Sequence, residues 1–93
     1  MLEAIAGPLT LGLHLKAIRQ GDEMTLEVFA AQLGISKQHL SDIEHGRKAV
    51  SVERAAAWAK KLGYSQRLFI QLALQDELDR AGLNYSVDLA EAS

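Results

Sequence analysis

Over most of the chain, hydrophobic residues recur every three or four positions, which is the spacing of amphipathic helices. Each run follows a Ser or Thr whose hydroxyl can accept a hydrogen bond from free helix N–H groups, and each is followed by a glycine that tolerates a left-handed backbone. The pattern predicts five helices, over residues 11–20, 26–33, 37–45, 52–62 and 66–81. The short connections between them favour an all-α fold, a five-helix bundle.

The segment 83–89 has a different pattern, because apolar and polar residues alternate at every position. A period of two is typical of a half-buried strand, and a strand needs a hydrogen-bonded neighbour. Since no other segment is predicted as a strand, we expect this one to pair with the same segment of a second copy or with another protein. The alternative is an extended tail that lies on the helices.

The connection between the second and third predicted helices has restrictive residue types. Ala30 stands where a second helix has to cross closely, Gly34 can adopt the left-handed conformation of a turn, and Ile35 is an apolar plug. This spacing predicts a helix-turn-helix unit. The alternative is a helical hairpin without a role in DNA binding. The whole pattern consists of Phe29, Ala30, Leu33, Gly34, Ile35, Leu40 and Ile43.

The third predicted helix carries polar side chains that are suited to contacts with DNA bases. Lys37 opposes the helix dipole at the first helical position, which indicates a functional reason for a positive charge there. Lys37 can donate to guanine or to phosphate, and Gln38 can pair with adenine. Ser41 is short enough to let the helix approach the bases, and Asp42 can accept from a cytosine amino group. The alternative is that these are ordinary polar surface residues.

Charge is distributed unevenly along the 93 residues, although the formal net charge is only −2. Residues 36–61 carry six basic and three acidic side chains, for a net +3, whereas the segments before and after carry −2 and −3. The acidic total by itself argues against a nucleic-acid partner. The distribution changes that conclusion, because the basic segment begins at the helix with the candidate base contacts.

Residues 11–63 resemble the lambda and 434 repressor-like (Cro/C1, XRE) helix-turn-helix family of DNA-binding proteins. The similar strings are LGLHLKAIRQ, TLEVFAAQLGISKQHLSDIEHGRK and SVERAAAWAKKLG. The resemblance implies a homodimer on double-stranded DNA, with helix 37–45 in the major groove. It also implies an internal ion pair between Arg19 and Glu44. One departure is Leu26, which stands where the family usually has a Gln that contacts the DNA backbone.

The resemblance also implies a role for individual side chains of this sequence. Four would face bases, and His39, His45, Arg47 and Lys48 would lie near phosphates. The base-facing residues are Lys37, Gln38, Ser41 and Asp42. The expected DNA-binding surface consists of Ser36, Lys37, Gln38, His39, Ser41, Asp42, His45, Arg47 and Lys48.

The fifth predicted helix has two apolar stripes. Ile70, Leu74 and Leu78 belong to one stripe, and Leu68 and its neighbours belong to the other. We expect one stripe to pack on helices of the same chain and a second copy to cover the other. The predicted dimerisation residues are Phe69, Leu72, Leu83, Tyr85, Val87 and Leu89.

The chain is predicted to be one domain, residues 1–93, with a helix-turn-helix core at 10–63 and a dimerisation region at 64–89. Flexible ends are expected at 1–9 and 90–93. His39 and His45 lack the spacing of a helical zinc site, and no catalytic or cofactor motif is present, so we predict neither an enzyme nor a metal or cofactor site. The absence of Cys, of a signal peptide and of a long apolar run predicts a cytoplasmic protein without a membrane partner.

These features predict a dimeric, sequence-specific DNA-binding regulator, in the simplest form a repressor of a palindromic operator. Two alternatives remain open. One is an antitoxin-type module that binds a toxin through its C-terminal part and regulates its own operon. The other is a restriction-modification controller.

Overall fold

A computed structural model describes residues 9–92, which contain five α-helices and no strand. The all-α prediction is confirmed, and every helix ends within one residue of its predicted bounds. The predicted flexible ends lie partly outside the described residues, because 1–8 and 93 are not described. The helices are α1 (Leu11–Gly21), α2 (Leu26–Leu33), α3 (Lys37–Glu44), α4 (Val52–Leu62) and α5 (Gln66–Arg80).

All five helices begin where the sequence places a hydroxyl. Each cap side chain accepts a hydrogen bond from the backbone N–H three residues later, at 3.0–3.1 Å. These bonds satisfy donors that have no partner inside the helix. The caps are Thr10, Thr25, Ser36, Ser51 and Ser65.

The end of α1 differs from the prediction that Gly21 supplies a left-handed residue there. The helix continues through Gly21, and the positive φ of 56° occurs at Glu23. The N–H of Asp22 bonds to the carbonyl of Ile18 at 3.0 Å, and the N–H of Met24 bonds to that of Arg19 at 2.9 Å. The chain therefore stays helical at Gly21 and reverses two residues later.

The chain divides into two compact units, Met1–Lys48 and Ala49–Ser93. The prediction of one domain over 1–93 stays a prediction. The first unit contains α1, α2 and α3, and α3 contacts both of the other helices. Its buried apolar side chains are Leu11, Leu15, Ile18, Phe29, Ala30, Leu33, Leu40 and Ile43.

In the second unit, α4 packs on α5. Trp58 belongs to the core of this unit and is only 4% exposed. Phe69 is fully buried and stacks on Tyr64 with ring centroids 6.1 Å apart, and Leu72 is only 8% exposed. Both side chains are thus covered within one chain, which leaves little of either for a second copy to contact. The assignment of Phe69 and Leu72 to a dimer surface stays a prediction.

The α5 stripe at Ile70, Leu74 and Leu78 is only half-buried. The C-terminal segment lies along this side of the helix, in the opposite direction. The side chain of Gln75 donates to the carbonyl of Tyr85 and accepts from the N–H of Val87, both at 2.8 Å. Arg67 donates to the carbonyl of Leu89. Within one chain, segment 83–89 is thus a tail on the helix, as the alternative prediction had it.

Candidate nucleic-acid interface

The turn between α2 and α3 sets the angle between these two helices. Gly34 has φ 76° and ψ 28°, and its N–H bonds to the carbonyl of Ala31 at 3.2 Å. The N–H of Ile35 bonds to the carbonyl of Ala30 at 3.0 Å. Because only glycine adopts this left-handed conformation without strain, the turn closes in three residues and Ser36 can cap the next helix.

An ion pair anchors α3 to α1. Arg19 Nε donates to Glu44 Oε2 at 2.8 Å, and Arg19 Nη2 donates to Glu44 Oε1 at 3.0 Å. Arg19 Nη1 also donates to the carbonyl of Met24 at 3.2 Å. The exposed fraction of the side chain is 15% for Arg19 and 2% for Glu44. The hydrogen bonds from the guanidinium to Glu44 raise the pKa of Arg19. Together these bonds fix the C-terminal end of α3.

The polar side chains of α3 and of the turn after it, within residues 36–48, all lie in the first unit. Ser36 is exposed but is occupied as the helix cap. Lys37 is exposed, and its Nζ lies 3.8 Å from Glu27 Oε2, an exposed contact that is worth little and can be exchanged for another anion. Exposed residues in this set also include Gln38, His45, Arg47 and Lys48, whereas His39, Ser41 and Asp42 are partly covered.

Two of these side chains are bonded to Asp42. Gln38 Nε2 and Arg47 Nε each donate to Asp42 Oδ1 at 3.0 Å. The bond from Arg47 is the largest of the effects that hold the pKa of the Asp42 carboxyl below its usual value. Asp42 is expected to face a base, but here its carboxylate accepts from two neighbouring side chains of the same chain.

The turn after α3 folds back on that helix. Gly46 has φ 77°, and the N–H groups of Arg47 and Lys48 bond to the carbonyl of Asp42 at 2.7 and 3.3 Å. Nδ1 of His45 lies 2.7 Å from the carbonyl oxygen of Ser41. These contacts keep the basic residues that follow α3 next to its polar face.

A helix-turn-helix family model matches residues 15–67, which is more than half of the chain. The chain therefore belongs to the Cro/C1-type helix-turn-helix family. Membership indicates a DNA-binding regulator rather than an enzyme. The resemblance inferred from the sequence is confirmed.

A similar solved structure is that of a protein from Nostoc punctiforme, described as a candidate antidote protein of a plasmid maintenance system. The two chains are 26% identical, and the alignment covers 82% of this chain and 84% of that one, with a TM-score of 0.70. No curated protein sequence matches the chain.

The helix-turn-helix unit depends on one residue that the sequence pattern did not single out. A Cβ at Gly12 would lie 2.0 Å from the carbonyl oxygen of Ile43 and 3.3 Å from the Cα of Glu44. The backbones of α1 and α3 therefore touch here, at Ile43 and Glu44 near the end of α3. A glycine inside a predicted helix, where it costs helix propensity, was the available signal.

Residues 9–92 contain neither a candidate metal site nor a candidate membrane span. No group of three or more His, Asp or Glu side chains there could hold a metal ion. None of the helices in this range is long and apolar enough to cross a membrane.

Proposed function

We propose that this helix-turn-helix protein is a dimeric, sequence-specific regulator that places α3 in the major groove of a palindromic operator and represses by occupying it. The observation that carries the proposal is the arrangement of α3. Its apolar face is buried, its end is anchored by the Arg19–Glu44 pair, and its polar face is open. A recognition helix needs such a rigid support, because base contacts depend on a fixed register.

The proposed contacts follow from the chemistry of each side chain. Lys37 donates to guanine or to phosphate, and Gln38 forms a bidentate pair with adenine. Ser41 lies one turn further along α3 and allows close approach to the bases. His39, His45, Arg47 and Lys48 contact the phosphates, and Ser36 lies at the N-terminal end of α3, which favours an anion.

The proposed DNA-binding surface of one chain has few positive charges, so one chain alone is expected to bind DNA weakly. Two copies double the phosphate contacts and set half-sites about 10 bp apart. The dimer is the reason that we expect the operator to be palindromic.

We assign the dimer contact to the C-terminal tail. The carbonyls of Tyr85 and Leu89 and the N–H of Val87 bond to α5. In an extended chain the backbone groups of successive residues point to opposite sides, so we assign those of Ser86 and Asp88 to the side away from α5. Tyr85, 71% exposed, lies beside this open edge. Exposed Leu83 and half-buried Val87 and Leu89 complete the proposed contact surface.

Selection from random DNA tests the DNA-binding part of the proposal. The purified full chain should enrich a palindromic sequence, and its affinity should fall steeply with salt. The double variant Lys37→Ala, Gln38→Ala should lose the preference for the enriched site, whereas Lys60→Ala, which removes the same charge from α4, should retain it. If the double variant selects the same sequence as the wild type, α3 is not the reading helix.

Light scattering tests the assignment of the tail. Ser86→Pro removes one N–H from the open edge and should shift the protein from dimer toward monomer, because proline cannot donate in a strand pair. Ser86→Thr keeps the N–H and should stay dimeric. A Ser86→Pro variant that remains fully dimeric would place the contact elsewhere.

A second candidate function is that of an antitoxin, and the similarity to the candidate antidote protein favours it. In this case the tail and the half-buried stripe of α5 bind a partner toxin. Co-expression with the product of the adjacent reading frame tests it. We expect that product to arrest growth alone and to be neutralised by the full chain, but less well by a variant with Tyr85→Ala and Val87→Ala. A harmless neighbouring product would remove this candidate.

A further inference from the structure

Asp42 places a negative charge on the proposed DNA-binding surface. It is the one acidic side chain among the nine residues of the DNA-binding surface expected from the sequence, and a carboxylate on a surface that meets phosphates is unfavourable for binding. Its side chain is only 18% exposed, and one oxygen, Oδ1, accepts from both Gln38 and Arg47 at 3.0 Å. These two hydrogen bonds indicate a role for the carboxylate of Asp42 in holding its neighbours in place.

The first contact determines the orientation of the Gln38 amide. A carboxylate only accepts hydrogen bonds, so the Nε2 group of Gln38 has to face Asp42 and the Oε1 atom has to face away. One N–H of the amide is then bound, while the second N–H and Oε1 remain available. This is the donor and acceptor pair that recognises N7 and the amino group of adenine.

The second contact restrains Arg47. Its Nε is bonded to Asp42 Oδ1, and its backbone N–H bonds to the carbonyl of the same residue at 2.7 Å. With Nε bonded to Asp42, the guanidinium is kept close to α3, which favours a phosphate in the register that this helix sets. Without the carboxylate, the long side chain could contact phosphates of any sequence.

We propose that Asp42 is a positioning residue that makes DNA recognition selective, by fixing the amide of Gln38 and restraining Arg47, and that it does not itself contact a base. The inference rests on the proposed function and extends it to the origin of specificity. Asp42 thereby lowers the affinity for random DNA and preserves the affinity for the preferred site.

The same selection from random DNA tests the proposal with single variants. Asp42→Asn can face Gln38 with either its oxygen or its amino group, so it should relax the preference at the same base position that Gln38→Ala relaxes. The affinity ratio between the selected site and random DNA should fall by about 10-fold, equivalent to about 1.4 kcal/mol. The matched control is Glu27→Gln, which removes one exposed carboxylate near Lys37 and should leave the ratio unchanged.

Three outcomes would overturn the proposal. If Asp42→Asn relaxes a different position from Gln38→Ala, at a base pair that the wild type prefers as cytosine, then Asp42 contacts that base directly. If Asp42→Asn changes no preference, then Asp42 has no part in selectivity. If it changes the ratio only as much as Glu27→Gln does, then Asp42 acts through its charge alone.

NMR on the protein without DNA keeps the test independent of the proposed function. The side-chain amide protons of Gln38 should shift with pH as Asp42 titrates, and the shift should disappear in Asp42→Asn. Amide protons of Gln38 that do not respond to Asp42 in the wild type would refute the arrangement. If the wild type enriches no DNA sequence, the proposed function fails instead, and the NMR result still decides whether Asp42 holds Gln38.

Discussion

Replacement of Gly12 by alanine should destabilise the protein, although alanine is the better helix former. The added Cβ would lie 2.0 Å from the carbonyl oxygen of Ile43 and 2.9 Å from its carbonyl carbon. Real Cβ contacts are essentially never shorter than 3.0 Å, so α1 and α3 would have to separate locally by 1 Å. The three nearest atoms all belong to the backbone of α3, so rotation of a side chain would not relieve these contacts.

Two opposing effects determine the magnitude. Overpacking typically costs about 1–3 kcal/mol, and the rigid surroundings of Gly12 favour the upper end. The gain in helix propensity from glycine to alanine is about 1 kcal/mol. The net loss should therefore be about 2 kcal/mol, which lowers the Tm of a chain of this size by about 8–16 °C.

Urea unfolding followed by circular dichroism measures this loss, and Gly21 provides a matched control in the same helix. A Cβ at Gly21 has no atom within 4 Å, and its φ is not positive. Gly21→Ala should therefore be neutral or slightly stabilising. The reasoning is refuted if Gly12→Ala is as stable as Gly21→Ala, since the close approach would then be absent.

Three further predictions concern other contacts. Glu44→Ala should cost about 3 kcal/mol in the same urea assay, because it leaves the largely covered guanidinium of Arg19 without its carboxylate, and a loss below about 1 kcal/mol would contradict a supporting role. Burial lowers the pKa of His14 in the folded chain below its usual value of 6.5. The unfolded chain therefore binds more protons at this histidine, and the free energy of unfolding should decrease as the pH falls below 6.5. Melting at about pH 7.5 and about pH 5.5 should show a smaller difference for His14→Gln than for the wild type. Gln75→Ala should speed amide exchange at Val87 by about 10-fold, because it removes the acceptor of that N–H, and unchanged exchange would show that the tail is held by other contacts.

The features that were predicted correctly are local ones. A cap such as Thr25 and a left-handed glycine such as Gly34 act over four residues, so their positions in the sequence determine where helices begin and end. The restrictive residues of the helix-turn-helix connection are local for the same reason. The pair between Arg19 and Glu44 spans 25 residues and was expected only from the family resemblance, not from periodicity.

The choice between the two stripes of α5 was not predictable from the chain. Both stripes are apolar, so the sequence pattern does not indicate which of them packs on α4. The structure buries Phe69 and Leu72 and leaves Ile70, Leu74 and Leu78 half-covered beside the tail. Periodicity identifies an apolar face but not its neighbour, because the neighbour depends on the packing of helices that are distant in sequence.

The sequence by itself therefore determined the five helices, their capped starts, the helix-turn-helix connection and the set of polar residues on α3. Only the tertiary structure decided the close approach at Gly12, the side of α5 that carries the tail, and the bonds from Gln38 and Arg47 to Asp42. The physical reason is the range of the interactions. Hydrogen bonds of caps and turns join residues a few positions apart, whereas packing distances and side-chain orientations are fixed only when separate elements meet.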